Sequence, residues 1–358
     1  MANHIRCTGW SSRVRRAAVA TAVVAIAGAC QAALADEGGV SFWVPGQFGS
    51  LAATPLGPGW TVSETYYHWS GTGGADVAAA RLVSIGRFDP RVSVLASGSL
   101  NAHVDFMVGD ATYAFAVPAL GAEATIGMTA LYGRTDATVS ANIVGTLGPI
   151  PFAISPTIGQ AVTGFGDLYP MATLRWNKGV DNYMWYVTGD IPVGLYSSSN
   201  LANIGIGHGA IDTGVGYTYL NPQTGYEFSA VTGFTYNFMN EATQYQSGVD
   251  WHLDWGASKW LNKQLFVGAV GYAYKEIGCD SGSGDKVGCF RSQVLGIGPQ
   301  VGFIFPLETP IGHMQGYINL KAYAEFDDHD RPGGWDAWLT FAITPPVTPP
   351  AAERLVHK

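Results

Sequence analysis

Chemistry in this chain would have to come from a few histidines and carboxylates. The best constellation is Trp251-His252-Leu253-Asp254, where an extended strand puts His252 and Asp254 on one face about 7 Å apart. No serine stands out as a partner, and no Gly-x-Ser-x-Gly elbow occurs. The pair therefore reads first as a satisfied structural contact, with a hydrolase as an alternative that would need a nucleophile beside His252. His68, His103, His208, His313 and His329 are scattered along the chain. There is no phosphate-binding loop, no zinc motif and no convincing iron triad of two histidines and a carboxylate. Asp280 and Asp285 share a loop that lacks an EF-hand pattern. The expectation is a chain that is not an enzyme, with no catalytic residue, metal or cofactor.

The elements around these residues are better defined than the chemistry. In 180–194, Tyr183, Trp185, Val187, Ile191 and Val193 fall on one parity, and Met184, Tyr186, Thr188 and Asp190 on the other. In 165–177, Leu168, Ala172, Leu174 and Trp176 oppose Asp167, Tyr169, Thr173, Arg175 and Asn177. A period of two is a strand signal. Soluble strands average only about five or six residues. Runs of about ten, apolar on one side and rimmed with Trp and Tyr, suit a transmembrane β-barrel.

Composition agrees. The 358 residues include 47 Gly, 11 Trp, 17 Tyr and 16 Phe, with only 13% charged, and no run is long and apolar enough for a helical span. Residues 1–35 combine Arg6, Arg13, Arg15 and Arg16, an apolar stretch and Ala33-Leu34-Ala35, the pattern of a cleaved signal peptide. Without them, 15 basic side chains face 27 acidic ones, about −12 in net charge, which argues against a nucleic-acid partner. Cys279 and Cys289, in GCDSGSGDKVGC, then read as a loop-stapling disulfide of an oxidising compartment.

Residues 36–58 are apolar and turn-rich. They suggest either a plug in the lumen, carried by Phe42, Trp43 and Phe48, or a segment packed at the periplasmic mouth. Strands are expected at 60–69, 100–108, 111–117, 122–130, 135–144, 165–177, 180–194, 211–219, 225–238, 251–261, 264–274, 294–305, 314–325 and 334–343. The first and third of these have poorly separated faces. Residues 71–90 and 145–163 read as loops. Outer-membrane barrels take even strand numbers, so an antiparallel barrel of about twelve strands over 59–343 is expected, with fourteen as the alternative. Residues 344–358 form a proline-rich tail that cannot join a sheet.

In a barrel the polar parity faces inward. That makes Asp105, Asp167, Tyr169, Arg175, Tyr186, Asp190, Asp212, Glu227, His252, Asp254, Tyr317, Lys321, Tyr323, Glu325, Asp336 and Trp338 lumen candidates. Arg175 and Lys321 are expected beside carboxylates, or one of them against a phenolate or carboxylate solute. Aromatic walls with a few orienting polar groups suit small apolar or aromatic solutes. A structural barrel with a closed, tyrosine-packed lumen is the alternative. Partners are then outer-membrane lipids and the barrel-assembly machinery, for a monomer.

Several blocks carry a family resemblance: GGVSFWVPGQFGSLAA, FGDLYPMATLRWNKG, TGDIPVG, DWHLDWGAS and GIGPQVGF, within a similarity running from Gly38 to about Ile343. They resemble the phenol-degradation meta-pathway family of proteobacterial outer-membrane β-barrel proteins. The resemblance implies a barrel associated with catabolism of phenol-like aromatics, acting by admitting substrate. It implies no catalytic motif.

Overall fold

A computed structural model describes residues 41–346, apart from 89–92, 148–149, 286–287, 290 and 311. The leader expected at 1–35 and residues 36–40 lie outside the described residues, as does the expected 344–358 tail from 347 onward; its first residue, Thr344, instead ends the last strand.

The described residues form thirteen strands: β1 (Gly59–Gly73), β2 (Ser93–Val117), β3 (Ala122–Leu147), β4 (Ile150–Ile154), β5 (Thr157–Lys178), β6 (Asp181–Asp190), β7 (Ala210–Asn221), β8 (Tyr226–Asn237), β9 (Asp250–Trp260), β10 (Leu265–Glu276), β11 (Gln293–Thr309), β12 (Gly312–His329) and β13 (Gly333–Thr344). All pairings are antiparallel; β1 pairs with β13 and β2, and β2 with β3, so twelve strands close a barrel and β4 is a short addition to the end of β3. Closure is what hydrocarbon demands, since an open sheet edge would leave backbone groups unpaired in lipid. One end carries tight turns, with Gly121 and Gly179 at φ 58° and 72°, a region glycine enters freely. Long connections sit at the other end, and in outer-membrane barrels the short turns are periplasmic.

Over β5 to β13 the alternation places residues as expected. Phe228, Phe234, Tyr236, Trp185 and Leu320 are exposed outward. Glu227, Ser229, Thr235, His252, Asp254, Asn319 and Lys321 are buried inside.

The upper wall corrects the sequence reading. Residues 100–108 and 111–117 belong to one 25-residue strand, and 122–130 and 135–144 to one of 26 residues. A 25-residue strand is about 80 Å long, so β2 and β3 rise well beyond a lipid-facing band about 25 Å tall. The expected loop 71–90 contains helix α1 (Ala75–Ser84), and the expected loop 145–163 contains β4 and the start of β5. Val77, Ala78, Leu82 and Val83 of α1 pack inside the barrel on Leu100, Ala137, Val139, Ala141 and Ile143. Above the membrane the inside is dry and the outside wet, so the apolar parity turns inward. Asp105 accordingly is not in the lumen. It accepts a hydrogen bond from the exposed Tyr66 Oη at 2.6 Å and pairs with His68 Nδ1 at 2.7 Å. In β5 the inversion needs an extra residue: opposite Ala130–Tyr132 the partner strand runs Leu168–Phe165, leaving Phe165 71% exposed and Asp167 1% exposed.

This two-zone wall predicts unequal tolerance to charge. Phe234→Arg, on the lipid face of β8, should destabilise the barrel by about 2–4 kcal/mol. His103→Arg, outward on the upper part of β2, should change stability by no more than about 0.5 kcal/mol. Urea unfolding of both variants in lipid vesicles checks this; equal losses would contradict the assignment of the zones.

Candidate functional site

The lumen is occupied by the chain's own residues 41–58, which enter beside the start of β1 and run up the inner wall. This segment has no regular structure, so its amide groups need acceptors from elsewhere. Asp254 accepts Gly46 N at 2.9 Å and Phe48 N at 3.1 Å. Glu227 accepts Leu51 N at 3.0 Å and the hydroxyls of Ser50, Ser229 and Ser258 at 2.5–2.7 Å. Thr218 Oγ1 accepts Ala53 N at 3.0 Å, and Glu123 accepts Leu56 N and Gly57 N at 2.7 and 3.0 Å. In return Lys321 Nζ donates to the carbonyls of Gly46 and Gln47 at 2.6 and 3.1 Å, and Tyr323 Oη reaches Gly46 O at 3.4 Å.

Aromatic contacts seat the upper part. The Trp43 indole is 1% exposed and stacks on His252 with centroids 3.5 Å apart and planes 12° apart. Phe48 and Trp43 lie 6.0 and 6.1 Å from Tyr186, and Phe42 lies 5.9 Å from Tyr169. Beneath Trp43, His252 Nε2 meets Asp212 Oδ2 at 2.9 Å and Tyr186 Oη at 3.3 Å, while Thr235 donates to Asp212 at 2.6 Å. The carboxylate partner of His252 is thus Asp212 on β7, two strands away along the same wall, not Asp254 on its own strand. The hydroxyl beside it is a phenol.

A second cluster closes the wall opposite. Glu325 accepts Trp69 Nε1 and Tyr272 Oη, both at 2.9 Å, and Gly334 N at 2.7 Å. Asp336 accepts Tyr272 Oη at 2.8 Å and Trp338 Nε1 at 2.7 Å. The Trp338 ring lies 4.3 Å from Tyr67, and Tyr323 lies 4.9 Å from Tyr272. Asp190 is buried with neither carboxylate oxygen hydrogen-bonded. Tyr317 and Arg175 border a chamber of about 800 Å³ at the short-turn end, alongside residues 47–58. A second space of about 100 Å³ lies near the far end, between Trp69, Leu100, Val104, Leu201 and Pro332. Over it the 191–209 connection is tied down by Asp167, which accepts Gly194 N and Ile206 N at 2.6 and 2.8 Å, and by Arg81, which donates to Leu201 O. In the 277–292 connection Cys279 and Cys289 are disulfide-bonded.

Apart from Asp105, the candidates from sequence therefore do converge on one lumen, and seven of them, Tyr169, Tyr186, Glu227, His252, Asp254, Lys321 and Tyr323, hold the N-terminal segment. Both basic residues lie near carboxylates, as expected, but neither forms an ion pair among the described residues: Lys321 is hydrogen-bonded to carbonyls, and Arg175, across from Glu123 in the strand register, has Nε and Nη1 without an acceptor. Tyr67, Trp69, Tyr272 and Glu123 escaped the sequence reading. β1 alternates poorly, and β10 buries Phe266, Val270, Tyr272 and Tyr274 on a strand whose outward residues are also apolar. Glu123 gave a weak signal, a lone acid just after a turn.

The model of the family described as "Putative MetA-pathway of phenol degradation" matches residues 60–341. No protein with a curated description is similar in sequence. Among solved structures, an outer membrane channel from Pseudomonas putida F1 is similar with a TM-score of 0.60 at 13% identity, covering 83% of this chain and 100% of that one. A FadL homologue from Pseudomonas aeruginosa gives a TM-score of 0.37 at 8% identity, covering 87% of this chain and 97% of that one. The Pseudomonas putida likeness shows the fold, that of an outer-membrane barrel. By the match over most of its length, this chain belongs to the phenol-degradation MetA-pathway family.

Proposed function

We propose that the protein is an outer-membrane channel for passive, gradient-driven uptake of small hydrophobic or aromatic compounds. The observation that carries this is the lumen itself. Residues 41–58 and aromatic side chains fill it, leaving apolar-walled spaces of phenol size and larger in place of a wide aqueous pore. Aromatic walls hold flat apolar solutes through ring contacts, and a few fixed polar groups orient them. Membership of a phenol-degradation family favours such solutes. In this reading residues 41–58 act as the plug, and solute passes where it yields.

The barrel is not an enzyme in this reading. His252 is fully buried under Trp43, and its oxygen neighbours are a carboxylate and a phenol. An acyl-transfer site would need an accessible nucleophile at that position. We place the working chain as a monomer in the outer membrane, exported by the 1–35 leader and inserted by the barrel-assembly machinery. The lumen, filled as it is, also favours a closed structural barrel as the second reading.

Vesicles containing the folded protein should admit phenol-sized solutes faster than empty vesicles, at a rate altered by Tyr186→Ala and Tyr323→Ala. Entry no faster than in blanks would leave the closed barrel. Asp254→Ala with Glu227→Ala removes charged acceptors of three segment amides. If the segment is a movable plug, this should raise open-channel conductance events about tenfold or more, read in planar bilayers; unchanged traces would argue for a fixed core. Protein extracted from outer membranes should have the mass of a chain starting at Asp36, and a mass retaining 1–35 would refute cleavage.

A further inference from the structure

Arg175 sits near the short-turn end of β5, only 8% exposed, on the border of the 800 Å³ chamber. Its Nε and Nη1 are buried with no hydrogen-bond acceptor, and no described residue forms an ion pair with it. Two carboxylates are close enough for their charges to act on it, Glu123 and Asp110. Both are engaged elsewhere: Glu123 with the amides of Leu56 and Gly57, Asp110 with the hydroxyls of Thr112 and Thr129 at 2.9 Å each. A guanidinium carries five N–H donors in a fixed fork, and burying it unmatched is costly. The group that matches the fork is a carboxylate held by two parallel hydrogen bonds.

The chamber sets the rest of the ligand. Its charged lining is Arg175, Lys321 and Glu123, a surplus of one positive charge in a chain whose net charge is −8. Lys321 is already bound to the carbonyls of Gly46 and Gln47, so Arg175 is the cation left to pair. One negative charge balances that surplus, whereas a dianion would place uncompensated charge beside Glu123. Pro55, Leu220 and Ile304 supply apolar wall, and 800 Å³ exceeds what a single-ring solute needs.

We infer that Arg175 is the anion-recognition point of the chamber and that the solutes bound there are amphipathic organic monoanions, a carboxylate on an apolar ring. This deepens the uptake reading above and rests on it for its physiological sense, although the binding itself can be measured without transport. A surface that bound only neutral aromatics would have no use for an unpaired buried guanidinium.

The test uses the mature full-length protein, folded in detergent, with benzoate and its neutral isostere benzyl alcohol as probes, followed by calorimetry and tryptophan fluorescence. Benzoate should bind about tenfold or more tighter than benzyl alcohol, the size expected of a charge-assisted bidentate contact. Arg175→Gln should abolish that preference and leave benzyl alcohol unaffected, while Arg175→Lys should keep only part of it. Equal affinities for the two probes in the wild-type protein would overturn the proposal, even if Arg175→Gln failed to fold. So would a preference that persists in a folded Arg175→Gln barrel. Vesicle entry of benzyl alcohol, measured in parallel, separates the two readings. Entry with no anion preference overturns this inference alone, and anion binding without entry of either solute overturns the uptake reading alone.

Discussion

Carboxylates on the inner wall accept the amide groups of a segment that has no strand partner, and the interior is arranged around that exchange. Gly46, Phe48, Leu51, Leu56 and Gly57 would otherwise leave N–H groups unpaired inside the barrel, which chains seldom tolerate. Asp254, Glu227 and Glu123 would otherwise be buried anions, whose desolvation is more expensive still. Each side satisfies the other, and bonds to an ionised acceptor are roughly twice as strong as neutral ones. The inward acids are therefore first of all a docking strip, and only secondarily a feature any passing solute would meet.

That strip dictates where open space is left. Along the upper half, Trp43 lies flat on His252 and Phe48 approaches Tyr186, so segment and wall meet through rings. On the other side Tyr67, Tyr272, Tyr323 and Trp338 pack against one another. Near the short turns the segment leads into β1, and the chamber is bordered by residues 47–58 together with residues of β5, β12 and β13. The path of the segment thus decides where open space remains inside the barrel.

Most of the barrel was legible because lipid enforces a strict alternation. β8 has Tyr226, Phe228, Phe234 and Tyr236 on one parity and Glu227, Ser229, Thr235 and Asn237 on the other, and both sets land where parity puts them. The same rule misplaced Asp105 and split β2 and β3. Parity marks only that the two faces differ. Which face is apolar depends on what lies outside, and above the membrane that is water. Ala137, Val139, Ala141 and Ile143 therefore face a helix where a lipid-zone reading has them outward. Nothing local in the sequence marks the height at which lipid ends, and the extra residue that flips β5 near Gly166 is visible only in its pairing with β3.

Arg175 and Lys321 show the same limit at the level of the site. Both are single bases on a polar parity, both are deeply buried, and both read as partners for inward acids. They part because of chain that is distant in sequence. The carbonyls of Gly46 and Gln47 come within reach of Lys321 and satisfy it, and Glu123, directly across from Arg175 in the strand register, is drawn away to the amides of Leu56 and Gly57. The segment that supplies hydrogen-bond acceptors to one base draws the other's nearest cross-strand acid into bonds of its own. A guanidinium without a hydrogen-bonded acid in this barrel is in that sense a consequence of how the lumen is filled, and it lies on the border of the chamber that residues 47–58 also line.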